Sequence, residues 1–352
     1  MWGLEARPLR QPLLVESRRR RRWSEAGLYV LIGAAACGAL VDSAVRHIAQ
    51  EIEAVTIAQA HETETEHDAG DILPVCAFIH GAGMPDILPP TRNHEEYWGT
   101  LHERLSPVCQ ARVFIHTDTL HAGWQDQGAQ ENVCSFVRYV TVVANATGAR
   151  LVVFAHSLGN LLLAGALQSS LCMLPEAAAW YSVAAPWRGS LAADRLPAIC
   201  SGSPAVVGSL LRALAKRERF CEGEGGAPSS GFESLATTNI AALANVAPWR
   251  ARVNGSMCGD SPFGLWTPDT LGMQALADFS HFGEANDGAV PVAGCHASEY
   301  ATPNRQHESS HYTAAVNHND LACKHGDGSW GGDDRMPCRW YAAMAIRSVL
   351  PT

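Results

Sequence analysis

The sequence predicts an α/β fold in which a mostly parallel central sheet is flanked by helices on both faces. The 352 residues are 47% hydrophobic and 17% charged, a balance typical of a globular protein with an ample core. From about residue 71 onward, short apolar runs alternate with longer segments of helical spacing. The apolar runs are nearly continuous, as expected for strands covered by helices on both sides.

The predicted elements follow this alternation along the chain. Strands are predicted at apolar runs of strand length, which are Ile72 to Gly81, Ala111 to Thr119, Arg150 to Ala155 and Ala177 to Pro186. Helices are predicted where apolar residues recur every three to four positions, which occurs at His94 to Leu105, Gln130 to Gly148 and the segment opened by Ser157. The later part of the chain contributes two further strands and a closing helix, at 251–259, His311 to Val316 and Cys338 to Leu350.

The N-terminal region carries a charge opposite to that of the rest. Residues 1–25 hold seven arginines and three glutamates, a net charge of +4, whereas the whole chain carries −9 and the remainder therefore −13. An acidic body argues against a nucleic-acid partner. The arginines precede the uncharged apolar stretch Ala26 to Val41, which favours a membrane role with the basic side in the cytosol.

We therefore interpret 1–25 as a cytosolic basic tail, 26–44 as a signal anchor or transmembrane segment, and 45–70 as an acidic stalk. The domain from 71 to 352 would then lie in the lumen or outside the cell, as in a type II membrane protein. The alternative is a signal peptide cleaved after Ala39, which would give a secreted protein with the same exposure.

The cysteine content agrees with an oxidising compartment. There are eleven cysteines, and Cys37 lies in the apolar segment, which leaves ten in the domain. An even set of this kind predicts up to five disulfides. Cys76 lies in a predicted core strand, so a buried free thiol is the alternative for that residue. None of the cysteine spacings is typical of a zinc site.

Ser157 stands at the joint between a buried strand and an apolar helix, within "FAHSLGN". A sharp strand-to-helix turn lifts a serine out of the sheet to a helix N-terminus, where backbone N–H groups favour negative charge. The residues two before and two after the serine must be small, and here they are Ala155 and Gly159. The sequence therefore predicts that Ser157 is a nucleophile.

The predicted strand ending at Ile79 is followed by the small-residue loop "HGAG", His80 to Gly83. Attack on an acyl carbonyl creates an oxyanion that needs two N–H donors. One is expected from Leu158, directly after the nucleophile, and the other from Ala82. A simple glycine turn that closes the strand is the alternative.

The order of "FIHGAG", "VVFAHSLGN", "AAPWRGS" and "NDGAVPV" resembles the lipase-type serine hydrolases of the α/β-hydrolase superfamily. The resemblance covers about residues 71–350 and implies the α/β-hydrolase fold. It also implies substrate contacts near His80, Gly81 and His156. Asn160 departs from the pattern, because a small residue is frequent at that position.

The family order places an acid and then a base after the serine. Asp287 in "NDGAVPV" matches the acid segment, Asp260 in "MCGDSPFG" is its rival, and Asp278 is interpreted as helix surface. His318 in "NHNDL" is the expected base. The alternatives for the base are His311, His325 and His307.

Two insertions interrupt the predicted core. Segment 191–250 contains two patterns of helical spacing, Val206 to Phe220 and Phe232 to Val246. It is interpreted either as a helical cap over an acyl pocket or as an ordinary excursion packed on the sheet. Segment 261–282 brings aromatic residues near the expected acid, where they would line the pocket or form loop core.

Together these features predict a serine hydrolase that cleaves a carboxylic ester, with a lipid as the favoured substrate and no metal or organic cofactor. An acyl-protein thioesterase or a GPI-lipid deacylase would use the same residues. A non-catalytic binding protein on the same fold is an alternative from a different class.

Overall fold

The structure is a computed structural model that describes residues 72–202, 208–297 and 304–350. The predicted basic tail (1–25), signal anchor (26–44) and stalk (45–70) lie outside the described residues. Among the helices of these three described ranges, none is both long and apolar enough to cross a membrane.

The described residues form a seven-stranded sheet with the order β2-β3-β1-β4-β5-β6-β7. Its strands are β1 (Val75–Ile79), β2 (Leu88–Thr91), β3 (Ala111–His116), β4 (Leu151–His156), β5 (Ala179–Val183), β6 (Gly255–Gly259) and β7 (His311–Ala314). All neighbouring pairs are parallel except β2 with β3, which is antiparallel. The predicted class, a mostly parallel sheet in an α/β fold, is confirmed.

Helices connect and cover these strands. Before β5 they are α1 (Glu95–Trp98), α2 (Leu101–Arg104), α3 (Gln127–Ala146) and α4 (Leu158–Gln168). Between β5 and β6 they are α5 (Leu191–Asp194), α6 (Leu196–Cys200), α7 (Ser209–Arg217), α8 (Ser230–Glu233) and α9 (Ile240–Val246). After β6 they are α10 (Thr270–Ser280), α11 (Val292–Cys295), α12 (His318–Leu321) and α13 (Pro337–Arg347).

Alternate residues of the central strand β1 point into two separate cores. Val75, Ala77 and Ile79 join the apolar cluster that includes α3 and α4, whereas Cys76 and Phe78 join the cluster that includes α13. Because successive side chains of a strand point to opposite faces, a strand buried on both faces must be apolar throughout. This arrangement explains the nearly continuous apolar runs of the sequence.

The predicted helix at His94 to Leu105 is two helices, because Gly99 interrupts it. Gly99 adopts a φ of 52°, and a Cβ at this position would lie 2.3 Å from the backbone oxygen of Lys324. The chain bends here so that a distant loop can pack against its backbone. The predicted helical pattern at Phe232 to Val246 is likewise divided, into α8 and α9.

Strand β2 was not predicted from the sequence because Pro89 and Pro90 lie within it. Proline lacks the N–H that a central strand donates, so it is confined to sheet edges. Here β2 is the edge strand, paired on one side with β3 through Leu88 with His116 and Thr91 with Phe114.

All ten cysteines of the domain form disulfides. The pairs are Cys76–Cys109, Cys134–Cys172, Cys200–Cys221, Cys258–Cys295 and Cys323–Cys338. The prediction of five disulfides is confirmed, and the alternative of a free thiol at Cys76 is wrong. Disulfides in this number indicate an extracellular or lumenal compartment.

Candidate active site

Ser157 occupies a strained turn between β4 and α4. Its φ of 52° and ψ of −127° lie in a region that L-residues rarely adopt, and its N–H donates to the backbone oxygen of Val183 at 2.8 Å. Gly159 allows this turn, because a Cβ there would lie 2.5 Å from the backbone oxygen of His80. The required small residue thus reflects the close passage of α4 over the end of β1.

Asn160 has a specific role in this turn, although it departs from the expected small residue. Its side-chain amide donates to the backbone oxygens of Ala155 (2.7 Å), Val183 (3.2 Å) and Ser157 (3.3 Å). Its Oδ1 accepts from the indole N–H of Trp180 at 3.3 Å. The fully buried amide therefore joins the strand end, the turn and β5.

Two side chains from the C-terminal part of the domain form a series of hydrogen bonds that ends at Ser157. His318 Nε2 lies 2.9 Å from Ser157 Oγ, and His318 Nδ1 lies 2.8 Å from Asp287 Oδ2. The other carboxylate oxygen of Asp287 accepts from the N–H groups of Ala289 (2.9 Å) and Val290 (2.6 Å). These bonds fix the carboxylate, which in turn fixes the imidazole tautomer with a proton on Nδ1.

The alternative acids have other partners. Asp260 forms an ion pair with Arg305, and Asp278 accepts from Gln274 along the exposed side of α10. Neither residue lies on the wall of the cavity around Ser157.

The alternative bases are also engaged elsewhere. His311 contacts the Ser256 hydroxyl at 2.9 Å, and His325 lies 3.0 Å from an Asp269 oxygen. His307 pairs with Asp333 and also contacts Glu308. Of the four candidate histidines, the structure brings His318 to the serine.

The loop after β1 passes directly beside Ser157. A Cβ added at Gly81 would lie 2.7 Å from the Cβ of Ser157, so the loop backbone approaches the nucleophile closely. Thr119 holds this loop: its hydroxyl donates to the Gly81 oxygen at 2.7 Å, and its backbone oxygen accepts from Gly83 at 3.1 Å. Ala82 lines the cavity at this point.

The two predicted oxyanion donors are Ala82 and Leu158. Within the described part of the chain, neither backbone N–H donates to a protein acceptor. Leu158 begins α4, where the first N–H groups of a helix have no intrahelical partner. Both N–H groups therefore keep their donor capacity, and their role in holding an oxyanion stays a prediction.

His80 and Gly81 are not among the residues that line the cavity, and their contact with substrate stays a prediction. The His80 ring is fully buried, with Nδ1 2.9 Å from the Gly81 oxygen and Nε2 accepting from the Thr117 N–H at 3.3 Å. Burial lowers the pKa of His80 to about 4, so the ring is neutral near pH 7. Both residues are part of the loop after β1 and lie behind the cavity wall, whereas His156 lines the cavity.

The cavity that opens at Ser157 has a volume of about 260 Å³. Its walls are mostly apolar, and the insertion 191–250 supplies a large share of them: Leu196, Phe220, Phe232 and Leu235. Helix α10 adds Met273 and Leu276. The aromatic pair of the second insertion, Phe263 and Trp266, stacks together in solvent and does not line this cavity.

The sequence analysis did not identify Asp269, a buried carboxylate that bonds to two residues of the cavity wall, Arg217 and Asn319. Asp269 accepts from Arg217 at 2.7 Å, Asn319 at 2.9 Å and His325 at 3.0 Å. Burial acts to raise the pKa of Asp269, but these hydrogen bonds and the charges of Arg217 and Lys324 outweigh it and lower the pKa to about 2. The charged carboxylate thus ties the end of α7 to the residue after His318.

The sequence analysis also did not identify Tyr97 as a residue of the site. Its hydroxyl lies 2.6 Å from His156 Nδ1 and accepts from the Gly81 N–H at 2.7 Å. No local pattern marks this tyrosine, because its partners lie 16 and 59 positions away in the chain.

Within the described residues, one group of side chains has the proximity needed for a metal ion: His307, Glu308 and Asp333. These three residues already bond to one another, and none lines the cavity.

No protein-family model matches the chain, and no curated protein matches it either. Among solved structures it is similar to the mature lipase BlEst2 of Bacillus licheniformis, with 15% identity, a TM-score of 0.48, and coverage of 73% of this chain and 89% of that one. It is also similar to the metagenomic carboxyl esterase MGS0156, with 15% identity, a TM-score of 0.46, and coverage of 81% and 79%. A third similar structure is phospholipase PlaB of Legionella pneumophila, with 16% identity, a TM-score of 0.42, and coverage of 63% and 45%.

The sheet order, its antiparallel first edge and the sharp turn between the central strand β4 and α4 decide the fold. The chain has the α/β-hydrolase fold. The predicted α/β-hydrolase fold is thereby confirmed. In this α/β-hydrolase domain the loops after β1, β4 and β7 converge at the carboxyl edge of the sheet, where parallel α/β proteins place their ligands.

Proposed function

We propose that the protein is a serine hydrolase that cleaves a carboxylic ester through an acyl-enzyme. This proposal rests on the series of hydrogen bonds from Asp287 through His318 to Ser157, which lies at an apolar cavity. Hydrolysis by serine requires a hydroxyl, a base within hydrogen-bond reach and a group that orients the base.

In the proposed mechanism, His318 Nε2 takes the hydroxyl proton as Ser157 Oγ attacks the acyl carbonyl. Asp287 stabilises the imidazolium, and the N–H groups of Ala82 and Leu158 hold the oxyanion. His318 then protonates the leaving alcohol. A water molecule, deprotonated by the same nitrogen, attacks the acyl-enzyme and releases the acid.

The favoured substrate is an ester of an apolar acyl chain. Leu196, Phe232 and Met273 are among the side chains that give the cavity its apolar wall, and apolar burial is what an acyl chain gains there. The basic tail and apolar segment at 1–44 support a type II membrane orientation, which would place the domain next to lipid.

The first experiment uses a fluorophosphonate probe on the purified full-length protein. The wild type should be labelled, and Ser157→Ala should not. Ser157→Ala and His318→Ala should each reduce turnover of p-nitrophenyl esters by roughly three orders of magnitude or more. His311→Ala is the matched control, because this imidazole bonds to Ser256 and lies outside the cavity, so turnover should persist.

Folded wild-type protein that reacts with no probe and hydrolyses no ester would refute the proposal and favour a binding protein on this fold. Parallel assays with a palmitoyl thioester and an inositol-acylated lipid would separate a thioesterase or a GPI-lipid deacylase from an oxygen-ester lipase.

A further inference from the structure

A buried chain of hydrogen bonds connects the loop after β1 to the backbone of His318. The Gly81 N–H donates to the Tyr97 hydroxyl at 2.7 Å, and this hydroxyl lies 2.6 Å from His156 Nδ1. On the other side of the ring, His156 Nε2 lies 3.1 Å from the backbone oxygen of His318. We refer to Tyr97 and His156 together as the tyrosine–histidine bridge.

Only one arrangement of protons satisfies the whole chain. The backbone oxygen of His318 can only accept, so His156 Nε2 must carry a proton and donate it. Because burial lowers the pKa of His156 well below its usual value, the ring is neutral and its Nδ1 is an acceptor. The Tyr97 hydroxyl therefore donates to Nδ1 and uses its lone pair for the Gly81 N–H.

Solvent does not readily replace these bonds. His156 is 2% exposed, and the Gly81 backbone is buried. Burial also raises the pKa of Tyr97, so the phenol keeps the proton that it donates. Loss of either bridge member would leave buried polar groups without partners, which costs more than the net worth of the bonds themselves.

The ends of the bridge are the parts of the site that must keep fixed positions. Gly81 immediately precedes Ala82, whose N–H is the proposed oxyanion donor, and its backbone passes beside Ser157. His318 carries the imidazole that contacts Ser157 Oγ at 2.9 Å. These two segments are more than 200 positions apart in the sequence, and His156 directly precedes the nucleophile.

Building on the proposed function, we propose that Tyr97 and His156 are positioning residues that hold the oxyanion loop and the base in register with Ser157. His156 takes no proton from substrate in this scheme. It acts through the backbone of His318, and Tyr97 acts through the backbone of Gly81. A shift of a fraction of an ångström at either segment weakens transition-state contacts more than ground-state binding.

Steady-state hydrolysis of p-nitrophenyl butyrate by the full-length protein tests the bridge. Tyr97→Phe removes one oxygen and should lower kcat about 10- to 100-fold, while KM changes less than about 3-fold. Affinity for a boronic acid transition-state analogue should fall in the same proportion as kcat/KM.

Tyr312→Phe is the matched control. The buried Tyr312 hydroxyl also accepts from a backbone N–H, that of Met336 at 3.0 Å, and donates to a backbone oxygen, that of Asp333 at 2.8 Å. It has no contact with the site, so this variant should lose comparable thermal stability and keep kcat within about 2-fold.

A second pair of variants covers the case in which Tyr97→Phe fails to fold. His156→Gln retains a carbonyl acceptor and an amide donor, and should keep most of kcat with an unmoved pH profile. His156→Leu offers neither group and should lose kcat like Tyr97→Phe. Equal kcat in both variants, or a loss in Tyr97→Phe no greater than in Tyr312→Phe, would overturn the inference.

A loss confined to KM would also overturn it, because Tyr97 would then only contact substrate. These outcomes differ from failure of the proposed function. In that case the wild type itself would neither hydrolyse the ester nor bind the boronic acid, and both proposals would fall.

Discussion

Acidification from pH 7.5 to 5.0 should destabilise the domain by several kcal/mol, because the folded domain buries several imidazole rings in their neutral form. His80 and His296 are 0% and 6% exposed. Burial lowers the pKa of His80 to about 4, and burial together with the nearby His311 and Arg250 lowers that of His296 to about 4. His94 lies against His80, and burial lowers the pKa of His94 to about 3. Its protonation therefore also opposes folding at low pH.

The magnitude follows from proton linkage. An unfolded imidazole titrates near pH 6.5 and is almost fully protonated at pH 5.0, whereas a folded one with a pKa of about 4 is still neutral. The unfolded state therefore binds more protons, and stability declines as the pH falls from 6.5 toward 4. At pH 5.0 the loss is about 2 kcal/mol for each imidazole, or about 4 kcal/mol for His80 and His296 together.

One carboxyl group acts in the opposite direction. Burial raises the pKa of Asp320 to about 6, so ionising it destabilises the fold at neutral pH. Protonation on the way to pH 5.0 restores about 1.4 kcal/mol. The charge of Asp269, whose pKa is about 2, does not change in this window. The net expected loss is therefore about 3 kcal/mol before His94 and His156, whose pKa values burial also lowers, are counted.

Urea unfolding at constant ionic strength, followed by tryptophan fluorescence at both pH values, measures this difference. With an m value of about 3 kcal/mol/M the midpoint should fall by roughly 1 M. His296→Gln is the control, because an amide can still bond Ser256 and Thr313 but cannot titrate, so this variant should lose about 2 kcal/mol less on acidification. Equal stability of the wild type at both pH values, or an unchanged pH dependence in His296→Gln, would refute the reasoning.

Four further predictions concern the site and its supports. Asn160→Leu keeps the side-chain volume but removes one hydrogen bond from each of three backbone oxygens and the side-chain acceptor of the Trp180 indole N–H, all of them buried. Urea unfolding should show a loss of about 3 kcal/mol, and a loss below about 1 kcal/mol would contradict the role assigned to this amide. Gly159→Ala would force a Cβ to 2.5 Å from the His80 oxygen and should lower kcat at least about 10-fold by steady-state assay, whereas Gly128→Ala, at the exposed start of α3, should not. Asp269→Asn weakens the bonds that hold Arg217 and Asn319, two residues of the cavity wall, and should raise KM several-fold with little change in kcat. An unchanged KM would show that these bonds do not affect substrate binding. Replacing Cys323 and Cys338 by serine opens a 15-residue loop next to α12 and should cost about 3 kcal/mol by thermal or urea unfolding, and equal stability would contradict that contribution.

Local sequence was sufficient for the features that depend on neighbouring residues. The turn at Ser157 follows from a buried strand, a serine flanked by small residues and an apolar helix, all within 18 positions. The nearly continuous apolar strands follow in the same way from burial on both faces of the sheet. The even cysteine number predicted five disulfides, but spacing alone gave no pairing, because pairing depends on which loops meet in space.

The choice among acids and bases required the folded chain. Asp260 and Asp287 both follow β6 in turn-like sequences, and only the resemblance of "NDGAVPV" to the acid segment of the family favoured Asp287. The fold places Asp260 beside Arg305, whereas it aims Asp287 at His318. His311 is the first residue of β7 and His318 lies four residues beyond its last. The His311 ring faces Ser256 within the sheet, whereas His318 lies beyond the carboxyl edge and reaches Ser157.

The sequence by itself determined the class of fold, the position of Ser157 and the small residues around it, because these are consequences of short-range sterics and periodic burial. The family resemblance favoured His318 and Asp287 among several candidates, but only the tertiary structure showed that His318 contacts the serine and that Asp287 contacts His318. It alone revealed Tyr97, Asp269 and the role of Asn160. The physical reason is that a hydrogen bond depends on two atoms within about 3 Å. The paths that bring such atoms together across 50 to 200 residues are fixed only when the whole sheet has formed.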